Sequence, residues 1–322
     1  AQDADSEGVE GKFFAWSKDE INTLLDNAAS EPLITAESIA LFKSRFGLDL
    51  AENFAGSWHL HGYLTESTLA SKHHQDEAAI HEQLYVIRQY LFEQREKRVH
   101  PDTDPKILCA WNGLMIQGMA TAGRLLEKPE YIDSAVRAAC FLHRQCWQSG
   151  QLYTSYKDGK ARLDAYIDDY AFLIYGLLEL LQSRWDNKLY AWLLELADQL
   201  LANFEDTEYG GFFFTSHQHE TLIQRLKIFS DEAIPAGNAI AALALNRLGY
   251  LSGEQRFIEA AGNCLKSAWF SMEQAPISHC AMVNALNEYL RPPDILIMRT
   301  REDDIENWPL IAQQYHLPFT LV

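Results

Sequence analysis

Residues 235–245 read Pro-Ala-Gly-Asn-Ala-Ile-Ala-Ala-Leu-Ala-Leu, and residues 190–200 read Tyr-Ala-Trp-Leu-Leu-Glu-Leu-Ala-Asp-Gln-Leu. In the first stretch, 239–245 is apolar nearly all round, as a helix covered on both sides must be. The second keeps one polar stripe, as a helix with one wet face does. Together they describe an inner helix and an outer helix, and the pairing repeats along the chain. One unit opens at Trp111-Asn112-Gly113, continues through 114–126 and 129–147, and closes on Gly150-Gln-Leu-Tyr-Thr-Ser-Tyr156. The next opens at Tyr166-Ile-Asp168-Asp169-Tyr170, runs to Leu181, resumes over 189–204 and closes on Gly210-Gly-Phe-Phe-Phe-Thr-Ser216. The third opens at Pro235-Ala-Gly237-Asn238, runs to Leu251 and is followed by 254–269. Residues 277–290 have the character of a fourth first helix. Stacked hairpins of this kind form either an open solenoid or a closed (α/α) toroid. The Gly-aromatic segments predict short β-hairpins at one end.

Upstream, Ser17-Lys-Asp-Glu20 is a capping box before Ile21, and Thr35 caps a helix that stops at Gly47. A long amphipathic helix is expected from about 76 to 98. The Arg and Lys of its last turns suit the negative end of the helix dipole, and Pro101 and Pro105 follow. Gly11-Lys-Phe-Phe-Ala-Trp16 reads like the other Gly-aromatic segments and predicts a truncated earlier unit. Beyond 290 the pattern changes: 294–298 reads as a strand, 305–315 as a helix and 319–322 as a strand. The expected organisation is an all-α toroid over 1–290, lacking its first hairpin, and the start of a small α/β segment over 291–322. The chain opens on Ala1 and closes inside an apolar run, so it reads as cut at both ends.

Composition narrows the function. The chain has 322 residues, 27 Lys or Arg against 45 Asp or Glu, and a formal charge of −18. That balance speaks against nucleic acid and anionic membrane as partners, since either would be repelled. The longest apolar runs, such as 239–245, fall far short of the roughly 20 residues of a membrane span. Five cysteines, an odd number with no C-x-x-C spacing, read as reduced thiols in a cytoplasmic protein. Aromatics make up 12% of the chain, which suits a helical core or a sugar-stacking cleft.

The candidate chemistry gathers at the starts of the inner helices, which a toroid places on one rim. Asp168, Asp169 and Asp231 are the candidate catalytic acids. Two adjacent carboxylates diverge by about 100° on a helix, so one can cap while the other faces a cavity. Asp3, Asp5, Trp111, Asn112, Tyr166, Tyr170, Glu232 and Asn238 are the candidate substrate-binding residues. Acid pairs suit glycosidic cleavage, and aromatic rings stack on sugar faces. Asp3-Ala-Asp5-Ser-Glu7-Gly8 opens like a calcium loop, but its twelfth position is Phe14, so it reads as a rim loop or a structural turn. His59/His61 and His217/His219 have ligand-like spacing without a third ligand. His279, opening an inner helix, reads as a core histidine before a rim acid–base. No cofactor and no metal is called for.

Several strings resemble one family: Asp3-Ala-Asp-Ser-Glu-Gly, Lys106-Ile-Leu-Cys-Ala-Trp-Asn-Gly, Asp168-Asp-Tyr-Ala, Gly210-Gly-Phe-Phe and Asp231-Glu-Ala-Ile-Pro-Ala-Gly-Asn238. They are similar to the YyaL-type, spermatogenesis-associated, thioredoxin-domain-containing proteins. The resemblance implies an (α/α)6 toroid like those of N-acylglucosamine 2-epimerases and six-hairpin glycosidases. It also implies a thioredoxin-like domain in the full-length chain, outside this sequence. Ala236 stands where the family often has Ser, so no hydroxyl is available there, and the acid–base histidine pair of the epimerases has no match. The implied function is a carbohydrate-active or carbohydrate-binding toroid, a glycoside hydrolase or epimerase with rim carboxylates as acid and base. The alternative is a non-enzymatic partner-binding module of a thioredoxin-like fusion protein, and a toroid that only stabilises the parent chain is the blandest expectation.

Overall fold

The computed structural model describes residues 2–220, 222–296 and 320–321, and the chain divides into two compact units, 1–105 and 106–322. In the first unit, strands β1 (Asp5–Ser6) and β2 (Val9–Glu10) pair antiparallel across Glu7-Gly8. Both turn residues have positive φ, 53° and 75°, the geometry of a tight two-residue hairpin. The acidic opening motif is therefore a structural turn. Helix α1 (Lys18–Ala28) starts where the Ser17 hydroxyl accepts from Glu20 N–H. Helix α2 (Ala36–Phe46) carries a capping box between Thr35 and Ser38 and ends on left-handed Gly47. Helix α3 (Glu66–His73) was not expected from the sequence, and α4 (Glu77–Arg95) begins at an Asp76 cap. Ile21, Leu25, Leu41, Phe42, Trp58 and Ile80 form its core. The expected hairpin at Gly11–Trp16 is instead a run of turns, tied down where Trp16 bridges to Trp58.

The second unit carries the repeat. Strand β3 (Ile107–Leu108) leads into helix α5 (Cys109–Leu125), and Pro129 opens α6 (Pro129–Gln145) at its first position, where a missing N–H costs nothing. Strands β4 (Trp147–Gln148), β5 (Gln151–Lys157) and β6 (Lys160–Asp164) follow as two consecutive tight hairpins. Their turns, Ser149-Gly150 and Asp158-Gly159, again have positive φ at both residues. Then come α7 (Ile167–Ser183), α8 (Asn187–Phe204), α9 (Gly237–Ser252), α10 (Gln255–Gln274), a 3-10 turn (Pro276–His279) and α11 (Cys280–Leu290). Among the described residues the Gly210 segment makes one bridge, Glu205 to Phe212. Strands β7 (Asp294–Ile295) and β8 (Thr320–Leu321) pair in parallel; the expected helix at 305–315 lies outside the described residues.

Helices α5, α7, α9 and α11 pack side by side, while α6 covers α5, α8 covers α7 and α10 covers α9. This is the inner-row, outer-row architecture of an (α/α) toroid, here three hairpins and the first helix of a fourth. Helices α7 and α9 are buried almost throughout, as their all-round apolarity requires. The α5–α7 approach depends on glycine: a Cβ on Gly113 would lie 2.6 Å from the Phe172 carbonyl carbon, and one on Gly176 2.5 Å from the Gly113 oxygen. All five cysteines are free, and among the described residues no helix is long and apolar enough to cross a membrane.

Candidate functional site

Side chains tie the inner-helix starts together in sequence around one rim. Asp169, only 3% exposed, accepts from Ala110 N–H on α5 (2.9 Å), from Tyr166 N–H before α7 (2.9 Å) and from the Thr154 hydroxyl on β5. Burial raises its pKa against the pull of those three donors. Asp231 joins the next pair: Oδ1 accepts from Ala236 N–H before α9 (2.9 Å) and Oδ2 from Ala281 N–H on α11 (2.8 Å). Both acids satisfy orphan donors at helix starts with both oxygens, so each serves as a clamp.

Asp168 is different. It lies at the start of α7, half-buried, and accepts no hydrogen bond from any described residue. Its Oδ1 sits against Gly237, close enough that any Cβ there would collide with it. A glycine at the first position of α9 is thus what admits this carboxylate to the rim. Burial, helped by the adjacent Asp169 charge, raises its pKa to about 6. Such a group is partly protonated near neutrality and can give or take a proton. The ~100° divergence of adjacent residues accounts for the split: Asp169 turns inward as a clamp and Asp168 faces away from those donors.

The other expected residues separate by burial. Trp111 is 57% exposed at the start of α5, and Glu232 is exposed without a described side-chain partner. The Asn112 amide donates to the Leu108 carbonyl (2.8 Å), bracing its own helix start. Asn238 is 1% exposed; its oxygen accepts from Phe212 N–H (2.7 Å), and its nitrogen donates to the Phe212 and Ile228 carbonyls. It pins the Gly-aromatic segment to α9 and has no face left for a ligand. Tyr170 is also a correction: at 3% exposure it packs on Phe204 and accepts from Leu152 N–H, so it cannot stack on a sugar. Burial pushes its hydroxyl up to about 12. Tyr166 stacks on Phe214 and is flanked by His219. Asp3 and Asp5 are exposed in the first unit, where Asp3 Oδ1 accepts from Asp5 N–H (3.2 Å).

The His217/His219 spacing offers His219 only as half of a metal pair. Its Nδ1 accepts from Ser216 N–H (3.1 Å), which places the ring proton on Nε2, buried and without a partner among the described residues. His59 stacks on Phe54, and His61 packs on Tyr63. Among the described residues no three His, Cys, Asp or Glu side chains group as metal ligands. His279 is 7% exposed and bonds the Ala275 carbonyl, a core histidine.

The far ends of the inner helices carry a feature the sequence reading missed. Arg124 on α5 meets Glu179 on α7 (3.1 Å), Glu179 meets Arg247 on α9 (2.5 Å), and Arg247 grips Glu288 on α11 through two bonds (2.6 and 2.8 Å). Glu179 and Glu288 are about 5% and 4% exposed. Each inner helix contributes one charge of alternating sign. The signal was present as a lone charge in the last turns of each otherwise apolar helix.

No family model matches the chain. Human spermatogenesis-associated protein 20 is 30% identical over 318 residues, covering 89% of this chain and 40% of that protein. Among solved structures, a family 76 α-mannanase from Bacteroides thetaiotaomicron is similar at a TM-score of 0.49 and 11% identity, covering 68% of this chain and 59% of that one. Cellobiose 2-epimerase from Spirochaeta thermophila is similar at 0.43 and 20% identity, covering 52% and 44%. The chain spans about two fifths of the length of the curated relatives it matches. The motif resemblance is thus a sequence relationship along most of the chain, which is related to the spermatogenesis-associated protein 20 family.

Proposed function

We propose that the 106–296 region is a carbohydrate-active or carbohydrate-binding toroid in which Asp168 is the working carboxylate. The observation that carries this reading is Asp168 itself: half-buried at the inner-helix rim, without a described donor, with a pKa near 6. A carboxylic acid so poised can protonate a glycosidic oxygen or exchange a proton with a sugar hydroxyl or carbon. Trp111 supplies an exposed ring face at the adjoining helix start, and Glu232 is the second carboxylate free to take part. Asp169 and Asp231 hold the helix starts that frame them.

The test is a panel of neutral mono- and disaccharides, screened by calorimetry and by product analysis on wild type and on Asp168→Asn. At least one sugar should bind wild type, and the variant should lose turnover or at least tenfold in affinity. If no sugar binds, or the variant behaves as wild type, the reading is wrong.

One observation favours the alternative, a partner-binding module of a longer fusion protein. Trp111 and Met115, 57% and 63% exposed, stand one turn apart on α5 with Gly118 beyond them, an apolar strip suited to a protein partner. In that case Trp111→Ala and Met115→Ala would both abolish capture of a defined partner, while Asp168→Asn would leave it intact.

A further inference from the structure

The first unit contains a cleft of about 640 Å³, within the size range of small-molecule sites. One wall is a single face of α4, residues 84, 88, 91, 92 and 95, and the opposite wall comes from α2. Three arginines line it: Arg45, Arg88 and Arg95. Residues 1–105 hold nine Lys or Arg against nineteen Asp or Glu, so a third of the unit's cations converge on one cavity of an acidic body. The one acid in the lining, Glu66, is within hydrogen-bond distance of His81 Nδ1 (3.0 Å). Arg95 stands in the last turn of α4, where a cation suits the helix dipole, and with Arg88 it also shares the cleft face with apolar residues.

The guanidiniums are set among rings. Arg95 lies 5.3 to 5.5 Å from the centroids of Phe13, Phe14 and Phe92, and Arg45 lies 5.7 Å from Phe46. Phe14 and Phe92 still expose 38% and 48% of their surface. The Arg95 Nε is buried with no hydrogen-bond partner among the described residues, while its Nη2 pairs with Glu96 Oε1 at 3.7 Å. Arg88 is exposed and has no described partner. Flat rings with room on them, beside the Arg88 guanidinium and the unpartnered Arg95 Nε, recognise a ligand that is planar at one end and anionic at the other.

We propose that this cleft binds a small aromatic anion, a ring bearing a phosphate or carboxylate. Arg88 and Arg95 take the anionic group, while Phe14 and Phe92 take the ring. The probe is 1-naphthyl phosphate, titrated by calorimetry into the 322-residue chain, with inorganic phosphate and 1-naphthol as the two half-ligands. The expected result is one-to-one binding at least tenfold tighter than either half-ligand and weakening with salt. Arg88→Gln, at an exposed side chain that holds nothing else, should cost about tenfold, as loss of a charge-assisted contact does. Phe92→Ala should weaken the naphthyl compound while leaving inorganic phosphate unchanged. No saturable binding, equal binding of a half-ligand, or indifference to Arg88→Gln would each overturn the proposal. Asp168→Asn plays no part in this titration, so its outcome is independent of the sugar reading.

Discussion

Asp168 and Asp169 show how neighbours of identical chemistry diverge. Asp169 holds the starts of α5 and α7 through three accepted bonds. Replacing it with Ala strands two backbone donors and should destabilise the chain by about 2–4 kcal/mol, measurable by denaturant unfolding. Asp168 should behave in the opposite way. Its folded pKa, about 6, lies above its ordinary 3.8. The folded state therefore binds the proton more tightly than the unfolded state, and stability is lost as pH rises from about 4 through 6. Asp168→Asn removes the charge that causes this loss. It should raise stability at pH 7 by on the order of 2 kcal/mol, a gain that shrinks to nothing below pH 4. Thermal melts at pH 3.5 and 7 check it, and a variant less stable than wild type at pH 7 would show that the carboxylate is stabilised by contacts other than those described. A residue that lowers stability when charged is placed there for something other than folding, which is why it carries the functional proposal.

At the scale of elements, what was legible followed periodicity. All-round apolarity in 239–245 and a polar stripe in 190–200 identified inner and outer helices, because a 3.6-residue repeat reports which faces are covered. Caps at Ser17 and Thr35 were legible because they are local. Helix α3 was missed because Glu66–His73 has one buried side chain, Leu69, and so no stripe to read. Asn238 and Tyr170 were misplaced for a different reason. Polar residues at a helix start serve equally as ligands or as pins, and only the positions of Phe212 and Leu152 decide. The charge ladder from Arg124 to Glu288 shows in the sequence only as lone charges in apolar helices; its pairing was not legible because the partners are more than 40 residues apart. It makes a sharp prediction. Arg247→Met leaves Glu179 and Glu288 buried without their shared cation and should cost about 3–5 kcal/mol. Adding Arg124→Met, Glu179→Leu and Glu288→Leu, which replaces the whole ladder, should recover most of that, since apolar groups of similar volume replace buried ions well. Failure of the fourfold variant to recover would mean the ladder sets helix register as well as neutralising charge. Gly176→Ala, which drives a Cβ to 2.5 Å from a backbone oxygen, should cost about 1–3 kcal/mol by the same denaturant measurement.

At the scale of the whole molecule, the charge of −18 acts on whatever approaches the rim. The carboxylates found there include Asp168, Glu232, Asp169 and Asp231, of which the last two are engaged by backbone donors. A donor set of N–H groups offsets part of the negative potential of a carboxylate, but it does not remove the charge of the body around it. An anionic sugar meets that field on approach and again meets Asp168, whose ionised form it would further disfavour. A neutral sugar meets neither. Of a matched pair, a neutral disaccharide and its uronate counterpart, the neutral one should therefore bind more tightly at low ionic strength. Long-range repulsion between exposed charges is screened within roughly 8 Å at 0.15 M salt. The gap should accordingly narrow as salt is added, and it should narrow again in Asp168→Asn. If the uronate binds more tightly under all these conditions, a cationic group must stand closer to the bound sugar than Asp168 does, and the assignment of the rim would have to be redrawn around that group.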